Sequence, residues 1–375
     1  MKPEKSSGVQ VPTGLHLQSR FFSATDKLWH RMGNLETSVL SDELENIKIQ
    51  KPVYVSGLAR SGTTILTEML EKHPDLTSHH YSDFPNIWTP YWRNYLLQKT
   101  RKGELVAGER AHKDRIKITN DSPEAVEEVL WSYFFPQCHA PARDNTLGKE
   151  TSNPSFESFY AGHIQKLLLV RESPRYLAKG NYNLSRFLYI LKMFPDARFL
   201  IPYRNPVNHI ASLIKQHKFF LKADAENPRV ARQLALSGHY EFGPGRSAVH
   251  LGDDKQHQAI TDAWADGREV EGWALYWAAS YQFLLDQARS HEGFAQASLF
   301  ISYEELCGHS EEVIDSITDH CALAADVFSD VRAHYCEHLS MPEYYQPDFS
   351  TEELDIIQRI CEPVVSELSD INSSS

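Results

Sequence analysis

Residues Lys51–Leu70 have the sequence KPVYVSGLARSGTTILTEML, and this stretch indicates the architecture of the chain. Val53–Val55 is a short β-branched and aromatic run typical of a buried strand, whereas apolar residues return at helical spacing from Ile65 onwards. Between them lies the loop Gly57–Thr64, which leads directly into the helix. Because the first N–H groups of a helix have no partners within it, this unit predicts a binding site for a phosphate-sized anion.

The loop shares the Gly-x4-Gly frame of a nucleotide P-loop but differs from it in the position of its cation. Gly57 and Gly62 allow a tight backbone. A nucleotide-hydrolysing loop has lysine directly after the second glycine, where this chain has Thr63, and its own cation is Arg60. Three hydroxyl side chains add donors: Ser61, Thr63 and Thr64. The loop is therefore predicted to hold a phosphate group without hydrolysing it, and a P-loop kinase or NTPase is the alternative.

Two later segments also have the pattern of a strand followed by a helix. Arg198–Arg204 is a strand candidate followed by an Asn-Pro pair, which suits a helix N-cap and first turn. Leu299–Tyr303 is a third strand candidate. Strands that alternate with helices predict an α/β fold with a P-loop-like parallel sheet flanked by helices. Since ligands bind at the carboxyl ends of parallel strands, Arg60, Arg204 and Tyr303 are expected on one edge.

The remaining sequence predicts one domain. Residues 1–20 and 367–375 are expected to be mobile termini, and residues 21–366 to form a single domain. Residues 218–271 contain a Gly-Pro-Gly segment, paired aspartates and scattered histidines, and are expected to be an irregular insertion over the site. Together with neighbouring helices, this insertion predicts a helical and loop-rich cap above the anion site.

Composition restricts the partners of the chain. With 38 basic and 50 acidic residues the net charge is −12 at pH 7. A chain of this charge has no general affinity for nucleic acid, so any anion requires a local basic pocket. The five cysteines are widely spaced and contain no Cys-x-x-Cys pair, which predicts free thiols in a reducing compartment and no metal site. No apolar signal or membrane-spanning window is present, and a cytoplasmic protein without a transmembrane segment is expected.

Arg204 and Ser212 are predicted to form a second anion site. Ser212 lies eight residues after Arg204, which places a guanidinium group and a hydroxyl near the start of one helix. This pair suits a dianionic phosphate, and two separate phosphate sites indicate a ligand with two phosphate groups. With these residues the chain is similar to sulfotransferases that use 3'-phosphoadenylyl sulfate (PAPS). Gly57–Thr64 resembles their 5'-phosphosulfate loop, and Arg204 with Ser212 resembles their 3'-phosphate motif.

Two further segments resemble the branch that includes tyrosylprotein sulfotransferases and many bacterial members. These are Phe194–Arg198 (FPDAR) and Ile301–Leu306 (ISYEEL), and the similarity covers roughly residues 51–308. The resemblance implies that Tyr303 contributes to the cofactor site, although core packing is an alternative for an aromatic residue here.

The resemblance implies metal-free, in-line sulfuryl transfer that leaves adenosine 3',5'-bisphosphate. Arg60 and a later lysine would neutralise the developing charge. Lys179, fifteen residues before Phe194, has the family spacing, and Lys149 is the alternative. The base is a glutamate or histidine in related branches. Asp83 and His80 are both candidates in the corresponding stretch of this chain.

The acceptor is not identified by the sequence. A small molecule, a glycan or a lipid is expected, and its hydroxyl or amine would receive the sulfuryl group. The aromatic-rich segment Phe84–Tyr95 and the segment Glu109–Trp131 are candidate pocket walls, and ordinary helix packing is the alternative for both. A non-catalytic module that binds adenosine bisphosphate is a further alternative, and the oligomeric state is left open.

Overall fold

The computed structural model describes residues 8–100, 108–109, 117–119, 121–341 and 347–373, and a parallel sheet lies at its centre. The strands are β1 (Val53–Val55), β2 (Leu76–Thr77), β3 (Gly108–Glu109), β4 (Lys117–Ile118), β5 (Arg175–Lys179), β6 (Arg198–Tyr203) and β7 (Ser298–Ser302). Five of them form the main sheet in the order β2-β5-β1-β6-β7, with every neighbouring pair parallel. Strands β3 and β4 form a separate antiparallel pair.

The helices surround this sheet. They are α1 (Thr13–Ala24), α2 (Asp26–Val39), α3 (Ser41–Leu44), α4 (Thr63–Leu70), α5 (Pro90–Thr100), α6 (Glu128–Phe134), α7 (Pro154–Arg171), α8 (Phe187–Met193), α9 (Pro206–Glu226), α10 (Arg229–Leu236), α11 (Asp254–Ala265), α12 (Glu269–Ser290), α13 (Glu292–Ala297), α14 (Tyr303–Gly308), α15 (Ser310–His320), α16 (Ser329–His338) and α17 (Thr351–Ser373). Within the described ranges, no helix combines the length and the apolar character needed to cross a membrane.

The alternation of side chains along each strand places an apolar core on both faces of the sheet. Tyr54 belongs to one buried cluster, to which α7, α9, α12 and α17 contribute. Its neighbours Val53 and Val55 belong to the opposite cluster, with side chains of α4 and α15. Successive residues of a strand point to opposite faces, so a strand covered on both sides is apolar at every position. The predicted α/β fold with a parallel sheet is confirmed.

Strand β1 is central, and its carboxyl end determines where the site lies. Val55 pairs with Lys179 of β5 on one side and with Leu200 of β6 on the other. The chain then enters the loop Gly57–Thr64, which connects β1 to α4. The loop therefore lies at the sheet edge between the ends of β5 and β6.

Two strand candidates end one residue earlier than predicted, because the chain leaves each strand there to enter the next helix. Strand β6 ends at Tyr203, and the Asn205 side chain then accepts hydrogen bonds from the first backbone N–H groups of α9, which confirms the predicted N-cap. Strand β7 ends at Ser302. Its hydroxyl accepts from the backbone N–H of Glu305, so Tyr303 is the first residue of α14.

The described parts of the predicted mobile termini, and of the predicted irregular insertion, contain helices, whereas residues 1–7 and 374–375 lie outside the described ranges. Residues 13–20 form part of α1, where His16 is buried and hydrogen-bonds through Nδ1 to Gln233 of α10 at 3.1 Å. Residues 367–373 continue α17, in which Leu368 is fully buried. The proposed insertion 218–271 is largely helical, since it contains the end of α9, all of α10 and α11, and the start of α12.

Candidate active site

The loop between β1 and α4 needs both of its glycines. A Cβ at Gly57 would lie 2.6 Å from the carbonyl oxygen of Pro202, because β6 passes directly beside it. Gly62 has φ +109°, and a Cβ there would lie 2.7 Å from the Tyr303 ring. Arg60 also has a left-handed backbone, with φ +74°. The close approach of β6 and Tyr303 thus holds the loop in front of the first turn of α4.

A buried histidine of α9 hydrogen-bonds to the backbone of the loop. The Nε2–H of His209 donates to the carbonyl oxygen of Ala59 at 2.9 Å, and the indole N–H of Trp277 donates to His209 Nδ1 at 3.1 Å. Burial lowers the pKa of His209 to about 3, so the ring is neutral and both nitrogens have a defined role. The sequence analysis did not find His209, because nothing local distinguishes a histidine in α9 from others on a helix.

The two predicted phosphate motifs meet in space. The Nε–H of Arg60 lies 3.4 Å from the hydroxyl oxygen of Ser212 in α9, although 152 residues separate them. Lys215 lies three residues after Ser212 on the same face of α9, and partial burial together with the charge of Arg60 lowers its pKa. Lys215 was not predicted. A local group of cations thus exists in a chain with a net charge of −12.

Arg204 is a further cation near the loop, and Tyr303 lies beside it. The guanidinium carbon of Arg204 lies 5.3 Å from the centre of the Tyr303 ring, whose edge contacts Gly62. The Nε of Arg204 is buried and has no hydrogen-bond partner among the described residues. An oxygen of Glu304 lies 3.9 Å from it, which is too far for a hydrogen bond. A buried donor without a partner is costly, and an anion bound here would satisfy it.

The hydroxyl residues of the loop lie at different depths. Ser61 is fully buried, its backbone N–H donates to the carbonyl oxygen of Leu58 at 3.2 Å, and its Oγ would lie 3.0 Å from a Cβ at Gly57. The Ser61 side chain is therefore turned beneath the loop. Thr63 is also buried, whereas Thr64 is half-buried.

Lys179 lies at the end of β5 beside the loop. Its Nζ is 3.5 Å from Oε1 of Glu124, and both side chains are largely buried. It lines a pocket together with Asn181, His239 and Glu241, which we call the Lys179 pocket. Lys149, the alternative lysine, is exposed.

The Lys179 pocket contains several interacting charged groups. Glu241 accepts a hydrogen bond from the Asn181 amide at 2.8 Å and lies 3.5 Å from His239 Nδ1. Burial alone would lower the pKa of His239, but the hydrogen bond and charge of Glu241 raise it. The structure thus brings three acid–base groups next to Lys179: Glu124, His239 and Glu241.

Asp83 and His80 belong to a different cluster. Asp83 is buried and accepts hydrogen bonds from Arg171 at 2.8 Å, His79 at 3.1 Å, Asn94 at 3.0 Å and the His80 backbone N–H at 2.9 Å. Burial would raise the pKa of Asp83, but these donors hold it far below its ordinary value. A carboxylate of such low pKa is a weak base.

The partners of His80 and Asp83 place this cluster away from the loop. His80 bonds to Glu71 at 2.6 Å and contacts Arg171. Glu71 directly follows α4, whose eight residues begin at the loop, so it lies about 12 Å along the helix axis from the loop. Among the described residues, neither Asp83 nor His80 hydrogen-bonds to the loop or to Lys179. Spacing along the sequence could not show that Asp83 and His80 lie apart from the loop. The chain turns after β2, in the 3-10 turn Tyr81–Asp83.

Glu124 reaches Lys179 from a segment that runs beside the end of β2. Its backbone N–H donates to the carbonyl oxygen of His79 at 2.8 Å, so its segment runs beside the residues that follow β2. Its side chain then reaches Lys179. The prediction that Glu109–Trp131 lines the site contained this residue without singling it out, because the pairing of two distant segments has no local signal.

Comparison with known proteins identifies the family of this chain. Residues 52–240, about half of the chain, match the profile of a sulfotransferase family. The chain belongs to this sulfotransferase family. No curated protein sequence matches it at a significant level. The predicted family is confirmed, and the tyrosylprotein-like branch stays a prediction.

Several solved structures are similar in fold. Sulfotransferase STF9 from Mycobacterium avium is 16% identical, with 88% of this chain and 80% of that chain covered and a TM-score of 0.51. Sulfotransferase STF1 from Mycobacterium tuberculosis H37Rv is 15% identical, with 94% and 85% covered and a TM-score of 0.48. A sulfotransferase from Alicyclobacillus acidocaldarius is 14% identical, with 87% and 96% covered and a TM-score of 0.42. The likeness to STF9 supports the sulfotransferase fold.

Proposed function

We propose that this sulfotransferase moves a sulfuryl group from PAPS to a hydroxyl or amine of its acceptor. The observation that carries the proposal is the meeting of Arg60 and Ser212, 3.4 Å apart, from two motifs that would bind different phosphates of one donor. A P-loop kinase or NTPase is not favoured, because Thr63 occupies the position of its lysine.

The residues present fit such a donor. The first turn of α4 and Arg60 would hold the 5'-phosphate, while Arg204, Ser212 and Lys215 would hold the 3'-phosphate. The buried Nε of Arg204, which lacks a hydrogen bond to any described residue, supports an anion at this position. Tyr303, which contacts Gly62 and lies beside Arg204, would separate the two phosphates.

The chemistry requires charge neutralisation and a base. PAPS supplies an electron-poor sulfuryl group attached to a phosphate leaving group. The acceptor oxygen forms the new S–O bond while the S–O bond to the 5'-phosphate breaks, and a base takes the acceptor proton. Arg60, Lys179 and the loop N–H groups stabilise negative charge on the oxygens involved. The products are a sulfate ester and adenosine 3',5'-bisphosphate.

We assign the base to Glu124, with His239 as the alternative. Glu124 is ion-paired with Lys179 at 3.5 Å, so a hydroxyl held beside Lys179 would lie within reach of its carboxylate. His239 is the alternative because its ring lines the Lys179 pocket beside Glu241, whose hydrogen bond and charge raise the pKa of the ring. Asp83 and His80 are not retained, because their hydrogen bonds hold them in a separate cluster.

Calorimetric titration with adenosine 3',5'-bisphosphate tests the donor site. We expect binding by the wild type and at least tenfold weaker binding by Arg204→Ala, which corresponds to about 1.4 kcal/mol or more. Arg289→Ala is the matched control, since Arg289 is a surface residue with 53% of its side chain exposed, and it should bind as the wild type does.

Two results would contradict the proposal. Tighter binding of ATP with magnesium than of the bisphosphate would favour a kinase. Bisphosphate binding without transfer of sulfate from labelled PAPS to a panel of alcohols and amines would favour a non-catalytic module. A cytoplasmic location and the absence of nucleic-acid partners stay predictions from the sequence.

A further inference from the structure

Helix α2 presents a row of apolar side chains to solvent. Leu28, Leu35 and Val39 are between 49% and 60% exposed, and Met32 in the same row is half-buried. We call these four residues the α2 stripe. Five of the ten well-exposed large hydrophobic side chains in the described part of the chain lie on α1 and α2. Single exposed apolar residues are ordinary, whereas a contiguous row of them indicates an interaction surface.

Helix α2 is attached to the rest of the protein by a different row of residues. Trp29, Gly33, Glu36 and Leu40 are half-buried or buried, and the Glu36 carboxylate is ion-paired with Lys166 of α7 at 3.0 Å. Each member of the α2 stripe comes one residue before a member of this inward row. One residue turns a helix by about 100°, so the stripe is a second face of α2 that the packing of the chain itself leaves exposed.

The spacing of the α2 stripe is that of a seam between two helices. Its members follow one another at intervals of four, three and four residues, which is the a and d pattern of paired helices. An antiparallel two-fold contact of α2 with its own copy sets Leu28 against Val39. It sets Met32 against Leu35 in the same way. Because a two-fold interface uses the same patch on both copies, every side chain of the stripe is buried twice.

The exposed charges beside the α2 stripe change sign along its length. Lys27 and Arg31 lie at its amino-terminal end, and Asp42 and Glu43 follow its carboxyl-terminal end. An antiparallel contact brings the basic end of one copy to the acidic end of the other, whereas a parallel contact would bring like charges together. An anionic membrane surface would attract the basic end but repel the acidic one. The charges therefore favour a second copy of the chain over a lipid surface.

We propose that this protein forms a two-fold homodimer in which the α2 stripes of two copies pack against each other in antiparallel orientation. The apolar row supplies the buried contact, and the charges at its two ends set the orientation. The dimer is a property of the α2 surface and does not depend on the proposed sulfuryl transfer.

Sedimentation equilibrium of the full chain tests the dimer, and it needs neither donor nor acceptor. We expect the wild type to be dimeric in the micromolar range and Leu35→Glu to dimerise at least tenfold more weakly. Leu354→Glu is the matched control, because it changes an exposed leucine of α17, and it should dimerise as the wild type does. Thermal unfolding followed by circular dichroism checks that each variant is folded.

Charge reversal tests the antiparallel orientation. Lys27→Glu with Arg31→Glu makes both ends of the α2 stripe acidic, and Asp42→Lys with Glu43→Lys makes both ends basic. We expect each double variant alone to dimerise at least tenfold more weakly than the wild type. A mixture of the two should form heterodimers with an affinity close to that of the wild-type dimer, because every end then meets the opposite charge.

Four results would overturn the proposal. They are a monomeric wild type, a dimer that Leu35→Glu leaves unchanged, a mixture of the reversed variants that associates no better than either alone, and a monomer that binds phosphatidylglycerol vesicles through the stripe. The last result would assign the α2 stripe to a membrane surface, and its mark is vesicle binding that Leu35→Glu abolishes.

Discussion

At the scale of single residues, the site depends on a few charged groups whose environments differ. The buried Nε of Arg204 has no hydrogen-bond partner within the described ranges, a cost of about 1–3 kcal/mol that a bound phosphate would remove. Asp83 has the opposite environment, because four donors surround it. These environments support a binding role for Arg204 and a structural role for Asp83.

Substitution of Glu124 tests the assignment of the base. We expect Glu124→Gln to lower kcat by roughly 100-fold or more while bisphosphate affinity is unchanged, because the acceptor proton is lost only in the transition state. Steady-state kinetics with labelled PAPS measures this effect. Glu352→Gln, at an exposed position of α17, should have no effect.

A pH profile distinguishes Glu124 from His239. Because Glu241 raises the pKa of His239, this ring becomes protonated at a higher pH than an ordinary histidine. If His239 were the base, the rate would fall as the pH drops through that raised pKa, and His239→Gln would abolish this limb. We expect the acidic limb to persist in His239→Gln, and its disappearance would move the role of base to His239.

Asp83→Asn should reduce stability rather than catalysis. The pKa of Asp83 is held below its unfolded value of about 3.9, so its stabilising effect is present above that pH. This effect is lost as the pH falls towards the folded pKa. We expect Asp83→Asn to cost about 1–3 kcal/mol at pH 7, and less at pH 3. Thermal unfolding at both pH values tests this, and unchanged bisphosphate affinity at pH 7 is the accompanying expectation.

At the scale of elements, the β1–α4 unit combines local backbone requirements with contacts from other segments. The loop is tight because Gly57 passes close to β6 and Gly62 lies against Tyr303 at the start of α14. His209 of α9 donates a hydrogen bond to the Ala59 carbonyl oxygen. The anion-binding end of α4 is thus positioned by three other elements.

Gly62→Ala tests the geometry of this element. The left-handed φ of +109° and the 2.7 Å approach to Tyr303 would both strain an alanine. We expect a loss of about 1–3 kcal/mol of stability and at least tenfold weaker bisphosphate binding. Gly148→Ala is the control, because nothing lies within 4 Å of a Cβ there. Equal behaviour of the two variants would show that the loop does not need its glycine.

At the scale of the whole molecule, the first and last described helices, α1 and α17, pack against the rest of the fold. Helix α1 packs against α10, and α17 packs against α12. Four side chains of α17 are buried in the larger core: Ile357, Cys361, Val364 and Leu368. An apolar face of this size is buried because its exposure to water would be unfavourable.

Leu368→Ala tests the contribution of the last helix. Leu368 is fully buried, and its truncation should cost about 2–5 kcal/mol, because it removes apolar contacts and leaves a cavity. Leu354→Ala, on the same helix at 39% exposure, should cost far less. Denaturant unfolding measures both. A small effect at Leu368 would support the mobile C-terminus that the sequence had predicted.

The sequence by itself determined the features that depend on neighbouring residues. The strand Val53–Val55, the glycine loop and the N-cap at Asn205 follow from backbone preferences within a few positions. Alternation of strands and helices then implies a parallel sheet and a shared edge, so Arg60, Ser212, Arg204 and Tyr303 could be predicted together.

Only the tertiary structure decided what surrounds Lys179. Glu124 and His239 reach it from segments 55 and 60 residues away, and His209 supports Ala59 from 150 residues away. The tertiary structure also decided that Asp83 and His80 lie apart from Lys179, because the chain changes direction in a turn after β2. Such contacts depend on the path of the chain through space, and a sequence records side-chain chemistry and local spacing but not that path.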